Sequence, residues 1–287
     1  MRWTLRHGVV DFSATPVVMG VLNVTPDSFS DGGLYARADA AKRQADDMIA
    51  EGAGIIDVGP ESTRPGAAPV SVDEQIGRIR PVLQEIRRAH PEIPISIDTR
   101  SADVAAEAIE LGVDIINDVS ALRGDAGMAA LAAKTDTPIV LMHMRGEPKT
   151  MQDAENGIAY QDVVGEITAF LTERVAFAES AGIRRERVAI DPGIGFGKTT
   201  GHNLEIMRRL EEFVALGSPV VLGVSRKRFI GELLDEPDPQ ERLPGSVACA
   251  IAAVLAGVHI IRAHDVAETV EAARVAAVAR KAKLRGS

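Results

Sequence analysis

Eight apolar runs in this chain end on a residue able to hydrogen-bond or carry charge. These residues are Asn23; Asp57, followed by Gly59; Asp98; Asn117 with Asp118; His143; Asp191; Ser225 to Lys227; and Arg262 with His264. A loop supplies polar residues at such places anyway, so the chemistry of the set has to decide. Buried carboxylates without partners are costly, and Asp98, Asn117, Asp191 and Lys227 converge from four such runs. Acceptor carboxylates combined with an amide suit a flat heterocycle that presents several N–H donors. Asn23, Arg262 and His264, beside a cationic stretch, suit phosphate oxygens.

That cationic stretch lies in Pro219–Gly231, PVVLGVSRKRFIG. Pro219–Val224 has the length and β-branched content of a buried strand. Ser225 reads as the N-cap of a following helix, which puts Arg226, Lys227 and Arg228 in its first turn. Each cation there is unfavourable by roughly 0.3–1 kcal/mol against the helix dipole. Either an anion docks on the exposed N–H groups, or the long arginines splay into solvent. The Gly-rich segment PGIGFGKT (192–199) imitates a nucleotide-binding loop, but Pro192 stands where a P-loop needs glycine and Lys198 where a dinucleotide fingerprint needs it. It reads instead as a loop that lets a ligand approach the backbone beside Asp191, with Phe196 as a stacking wall. Two further segments, Thr25–Tyr35 and Pro60–Val70, are rich in Gly, Pro, Ser and Asp. They are expected to be mobile loops, carrying Phe29 and Arg64, that close as a lid or serve as ordinary surface loops.

The elements that position these residues alternate. Strand-length runs recur at 17–22, 54–58, 93–97, 113–116, 138–142, 188–190, 219–224 and 258–261. Helical patterns fill 38–51, 71–89, 101–111, 125–134, 158–181, 200–216, 226–235 with 245–256, and 267–283. Ser71 with Glu74 forms a capping box, Ser101 is a second cap, and Gly112, Gly182, Gly217 and Gly257 sit just past helix ends. Pro81 should kink or interrupt the second helix. Mostly apolar strands alternating with helices imply a parallel sheet covered on both faces. Eight such units without a composition break favour one α/β domain, a single (β/α)8 barrel over residues 16–287. A β-hairpin, with its turn at His7-Gly8, precedes it in residues 1–15.

Composition narrows the function classes. The 287 residues are 46% hydrophobic and 25% charged, with a net charge of −9, which argues against a nucleic-acid surface. The one cysteine, Cys249, excludes an internal disulfide and fits a reducing compartment. The N-terminus has no apolar signal core, and the longest apolar run, 247–258, is shorter than the ~20 residues a membrane span needs. A cytoplasmic protein is expected.

Eight segments together resemble the dihydropteroate synthase family, the pterin-binding folate-pathway enzymes inhibited by sulfonamides. They are GVLNVTPDSFSDGG (20–33), ESTRPGA (61–67), SIDT (96–99), NDVS (117–120), LMHMRGEPKTMQ (141–152), DPGIGFGKT (191–199), GVSRKRFIG (223–231) and IIRAHDV (260–266). The resemblance implies condensation of a dihydropterin hydroxymethyl pyrophosphate with p-aminobenzoate, aided by Mg2+, in a homodimer. It implies a pterin pocket of Asp98, Asn117, Met142, Asp191, Phe196, Gly223 and Lys227. Asn23, Arg64, Arg262 and His264 would take the pyrophosphate, with the metal on Asn23. Phe29, Thr63, Arg64, Pro65 and Ser225 would shape the p-aminobenzoate site, and Asp98, Lys227, Arg262 and His264 would carry the catalysis. Two positions depart from the family pattern: Pro60 replaces a glycine before the second loop, and Ala263 replaces a bulkier valine. Alternatives are a pterin-dependent methyltransferase of the same fold, a non-catalytic pterin-binding protein, or an aldolase using Lys227 as a Schiff base.

Overall fold

The computed structural model describes residues 1–6, 8–24, 34–61, 70–146 and 159–285. His7 and most of both expected lid segments therefore lie outside the described residues. The chain opens with the expected hairpin, β1 (Arg2–Leu5) antiparallel to β2 (Gly8–Asp11). Eight parallel strands follow: β3 (Val17–Asn23), β4 (Ile55–Gly59), β5 (Ile95–Asp98), β6 (Ile115–Asp118), β7 (Ile139–Met142), β8 (Val188–Asp191), β9 (Val221–Gly223) and β10 (Ile260–Ala263). Their order is β8-β7-β6-β5-β4-β3-β10-β9. A parallel bridge between Ile190 and Val220 joins the two edges, so the sheet curls into a barrel.

The helices lie between the strands: α1 (Leu34–Ala50), α2 (Val72–Ala89), α3 (Ala102–Glu110), α4 (Gly127–Thr135), α5 (Val163–Ser180), α6 (Thr200–Arg208), α7 (Leu210–Val214), α8 (Arg228–Leu234), α9 (Leu243–Ala256) and α10 (Val266–Arg285). Ser71 accepts from the Glu74 N–H and Ser101 from the Val104 N–H, as the caps require. Gly257, at φ 94, closes α9 in the left-handed conformation that glycine adopts without strain. Three expectations need correction. First, the break offered at Pro81 does not occur, since α2 is continuous from Val72 to Ala89. Burial of Ile79, Val82, Leu83 and Ile86, at about 1.5–3 kcal/mol per side chain, outweighs the proline penalty of about 3 kcal/mol. Second, the helix expected over 200–216 divides at Arg209, whose φ −116 and ψ 27 leave the helical region. Third, α1 starts at Leu34, inside the first segment read as loop.

Side-chain alternation along the strands organises the barrel into layers. Met19, Ile55, Ile115, Val140, Ala189, Val221 and Ile260 share one interior cluster with Trp3 and Leu5 from β1. The hairpin thus plugs the N-terminal end of the barrel, and Trp3 is fully buried. Two residues further along the same strands, and therefore on the same inward face, stand Val21, Asp57, Asn117, Met142, Asp191, Gly223 and Arg262. On β5 the inward pair is Ser96 and Asp98, and on β3 the alternation continues to Asn23. An apolar floor beneath a polar ceiling results, with the ceiling at the C-terminal mouth.

Candidate active site

Asp57 stands at the centre of this ceiling. It is completely buried on β4, and its Oδ2 accepts from Arg262 Nε at 2.6 Å and from Asn117 Nδ2 at 3.2 Å. Arg262 reaches across with a second donor, Nη2, to Asp98 Oδ2 at 3.0 Å. Burial opposes the guanidinium charge, but Asp57 and Asp98 outweigh it and raise its pKa. Asp98 is affected differently. Burial pushes its carboxyl up to about 7, with Arg262 opposing and Asp57 adding to the shift. Asp98 Oδ1 and Asp57 Oδ1 are buried and have no hydrogen-bond partner among the described residues. Unsatisfied acceptors at a barrel mouth are what a donor-bearing ligand would complete.

The second half of the site comes from β8 and the loop after it. Asp191 Oδ1 accepts the Gly193 N–H at 2.7 Å. Burial raises its pKa, opposed by that bond and by the charges of Lys227, Lys198 and Arg262. Phe196 packs with Val119, Met142 and Met144, and Lys227 Nζ lies 4.3 Å from the centre of its ring, a cation–π distance. A flat, partly apolar wall therefore adjoins the acceptors. Gly223 is paired in register with Arg262. Next to it, Ser225 Oγ accepts the His264 N–H at 3.2 Å and lies 3.1 Å from His264 Nδ1.

Alternation also explains which of the strand-end residues are not brought together. Asp118 faces outward and spends its carboxylate on the N–H groups of Ser120 and Leu122 and on the Ser120 hydroxyl. It thereby holds a turn in which Ala121 and Leu122 have φ 54 and 63. His143 also faces outward, edge-on to Phe170 of α5 with ring centres 4.9 Å apart. Sequence reasoning marks Asp57 only as a strand end and misses its role. Its position two residues after Ile55, inside a fully buried strand, is the signal that could have found it.

The cationic helix start is corrected outright. Ser225 is not an N-cap: α8 begins at Arg228 with Lys227 in the cap position. Arg226 sits in the left-handed region at φ 58. Its N–H is taken by Ser246 Oγ at 2.9 Å, and its guanidinium binds both carboxylate oxygens of Asp265. Arg228 pairs with Glu232. Only Lys227 of the three cations is directed to the site wall described above. Phe29, Thr63, Arg64 and Pro65 lie outside the described residues. At the second loop's base, the Val70 N–H reaches Glu61 Oε1 at 3.1 Å, and Arg78 Nη1 donates to the Pro60 carbonyl at 2.7 Å. The substitution at Pro60 thus falls where α2 already anchors the backbone.

Residues 19–264 match the family described as pterin binding enzyme. The chain is 49% identical over 268 residues to the dihydropteroate synthase of Escherichia coli strain K12, covering 93% of each. The chain belongs to the dihydropteroate synthase family. Its match to the Synechocystis family member is 44% over 266 residues, covering 93% of this chain and 91% of that one. Among solved structures, the Yersinia pestis dihydropteroate synthase in a sulfonamide drug complex superposes with a TM-score of 0.90 at 42% identity, covering 98% of this chain and all (100%) of that one. The Xanthomonas albilineans dihydropteroate synthase with 4-aminobenzoic acid gives 0.89 at 40% identity, covering 98% of both. Both likenesses cover nearly the whole chain, at 98% in each case.

Proposed function

We propose that the chain condenses 6-hydroxymethyl-7,8-dihydropterin pyrophosphate with p-aminobenzoate to give 7,8-dihydropteroate and pyrophosphate. The observation that carries this reading is the buried Asp57–Arg262–Asp98 cluster with its unsatisfied acceptors, opposite Asp191 and the Phe196–Lys227 wall. Asp98 and Asp191 accept N–H bonds from the pterin, Asn117 and Lys227 donate to its acceptors, and Met142, Phe196 and Gly223 bound its faces and edge. His264 and Arg262, with Arg64, meet the diphosphate, while Ser225 lies with Phe29, Thr63, Arg64 and Pro65 on the p-aminobenzoate side.

The chemistry is a dissociative, SN1-like substitution. The bond between the pterin methylene and the diphosphate oxygen breaks, and its electron pair leaves with the diphosphate. The electron-rich pterin carries the resulting positive charge, the arylamine lone pair forms the new C–N bond, and the amine gives up a proton. Asp98, Lys227, Arg262 and His264 contribute by orienting the ring and by electrostatics, which suits a reaction needing no protein nucleophile.

Magnesium fits this arrangement as a substrate-borne ion. Among the described residues no three His, Cys, Asp or Glu side chains cluster as a metal cage. Mg2+ usually keeps several waters and is bound by few protein oxygens together with substrate phosphates. Asn23, inward at the end of β3 with an amide oxygen, would hold it. When bound, it neutralises charge on the leaving diphosphate.

A second copy of the chain pairs through α9 and α10, where Ile251, Leu255, Val275 and Val278 are exposed on adjacent helices, and light scattering reads the mass. Among the described residues no helix is long and apolar enough to cross a membrane; the proposed cytoplasmic setting is supported by the single cysteine, which fits a reducing compartment. The deciding experiment is a coupled pyrophosphate assay with the pterin substrate, with and without p-aminobenzoate, under sulfonamide titration. Product that depends on p-aminobenzoate and is suppressed by sulfonamide is expected. Pterin binding without turnover, or methyl transfer from methyltetrahydrofolate, would refute the assignment.

A further inference from the structure

Lys198 ends the Gly-rich loop yet takes no part in the reaction above. Its side chain turns inward and is 5% exposed. Nζ lies 2.8 Å from the Gly193 carbonyl, 3.0 Å from that of Phe196, 3.3 Å from that of His143 and 3.0 Å from His143 Nδ1. An ammonium has only donors, so toward the charged lysine His143 offers Nδ1 as an unprotonated acceptor. Burial and the neighbouring Lys198 charge hold the imidazole neutral, down to about 2.

Three of these acceptors are carbonyls from two crossing segments: the exit of β7 at His143, and the loop at Gly193 and Phe196. The segments approach so closely because the loop lacks side chains. A Cβ on Gly193 would collide with the His143 carbonyl, and one on Gly197 with that of Arg145. Both loop residues that Lys198 holds are connected to the ligand side. The Gly193 N–H donates to Asp191 Oδ1 at 2.7 Å, and the Phe196 ring lies 4.3 Å from Lys227 Nζ.

We propose that Lys198 is a positioning residue for the pterin half of the site. Its buried ammonium clamps the Gly-rich loop so that Gly193 orients Asp191 and Phe196 backs Lys227. This rests on the reading of Asp191 and Lys227 as pterin contacts. The ammonium acts in two ways. It gathers carbonyls that would otherwise repel one another, and its charge favours the ionised, acceptor form of Asp191 against burial. Other ionisable groups that sense or face it are His143, Lys227 and His202. Burial pulls Lys198 down to about 7 while Asp191 opposes that shift, so the clamp is strongest with Asp191 ionised.

The test uses the full chain with Lys198→Met, which keeps the aliphatic volume but removes every donor, and Lys198→Gln, which keeps two N–H donors. Calorimetry reads the affinity for a pyrophosphate-free pterin, and the coupled assay reads KM for p-aminobenzoate. Lys198→Met is expected to weaken pterin binding by about tenfold or more, as lost bonds to a charged donor imply. KM for p-aminobenzoate should change by less than the pterin affinity does in the same variant, since the Gly193 contact orients Asp191 on the pterin half. Lys198→Gln should recover part of the pterin affinity. A packing role predicts the reverse order, because methionine fills the lysine volume better. Unchanged pterin affinity in Lys198→Met, equal losses for both substrates, or methionine outperforming glutamine would overturn the proposal. If the methionine variant does not fold, the glutamine variant is compared with wild type on the same two readouts. Asp191→Asn is measured alongside: if it retains pterin affinity, the site reading itself fails, whatever Lys198 does.

Discussion

Replacing Asp98 with asparagine tests whether the mouth of the barrel is paid for in stability. Burial raises the Asp98 carboxyl from 3.8 to about 7. Between those values the folded chain holds a proton that the unfolded chain has released, so raising the pH through this window destabilises the fold. The loss is complete above about 7. From pH 5 to 7 there are two tenfold steps in proton affinity, or about 3 kcal/mol at about 1.4 kcal/mol each. The interior relaxes around a new charge more than a rigid low-dielectric medium would, so we expect about 2 kcal/mol. Asp98→Asn keeps an amide oxygen for Arg262 Nη2 but removes the titrating group. Urea unfolding of the protein and of the variant at pH 5, 6, 7 and 8, without added ligand, gives the difference directly. Titration of His143 and His259 is common to both proteins and cancels. The variant should gain about 2 kcal/mol on wild type between pH 5 and 8, while losing pterin affinity. A difference that stays flat to within about 0.5 kcal/mol across that range would refute the reasoning.

Two further perturbations separate the floor from the ceiling. Trp3→Ala removes a fully buried ring from the barrel plug and should cost about 3–5 kcal/mol in chemical denaturation, with KM values for both substrates within about twofold of wild type. Arg226→Gln breaks the bidentate pair with Asp265 and should cost about 1–3 kcal/mol; a weakened KM for the pterin pyrophosphate at unchanged stability would instead restore Arg226 to the site.

The barrel was legible because each strand is a short apolar run closed by turn residues, and because Ser71, Ser101 and Gly257 cap helices by local chemistry. Asn117 and Asp191 were legible as polar strand ends, but only the alternation seen in the fold separates them from the outward Asp118 and His143 and brings in Asp57. What local pattern could not supply was partnership at a distance. Ser225 has every local mark of an N-cap, yet its hydroxyl serves His264, 39 residues away. The Arg226 N–H is claimed by Ser246, 20 residues on. Lys198 looks like the remnant of a P-loop, and its partner His143 precedes it by 55 residues. Its residue type matches Arg262 to phosphate, but in the fold its guanidinium takes the carboxylates of Asp57 and Asp98. Ligand binding must therefore compete with, or build upon, an ion-pair network that is already formed.

The chain contains a single tryptophan, and it sits in the plug at the end opposite the mouth. Its emission is consequently a private signal of the barrel's base, insensitive to substrates arriving at the far end. Because the surrounding layer draws on strands from Met19 to Ile260, that signal reaches its final value only when the last strand has taken its place. Refolding followed at this one fluorophore reports completion of the ring.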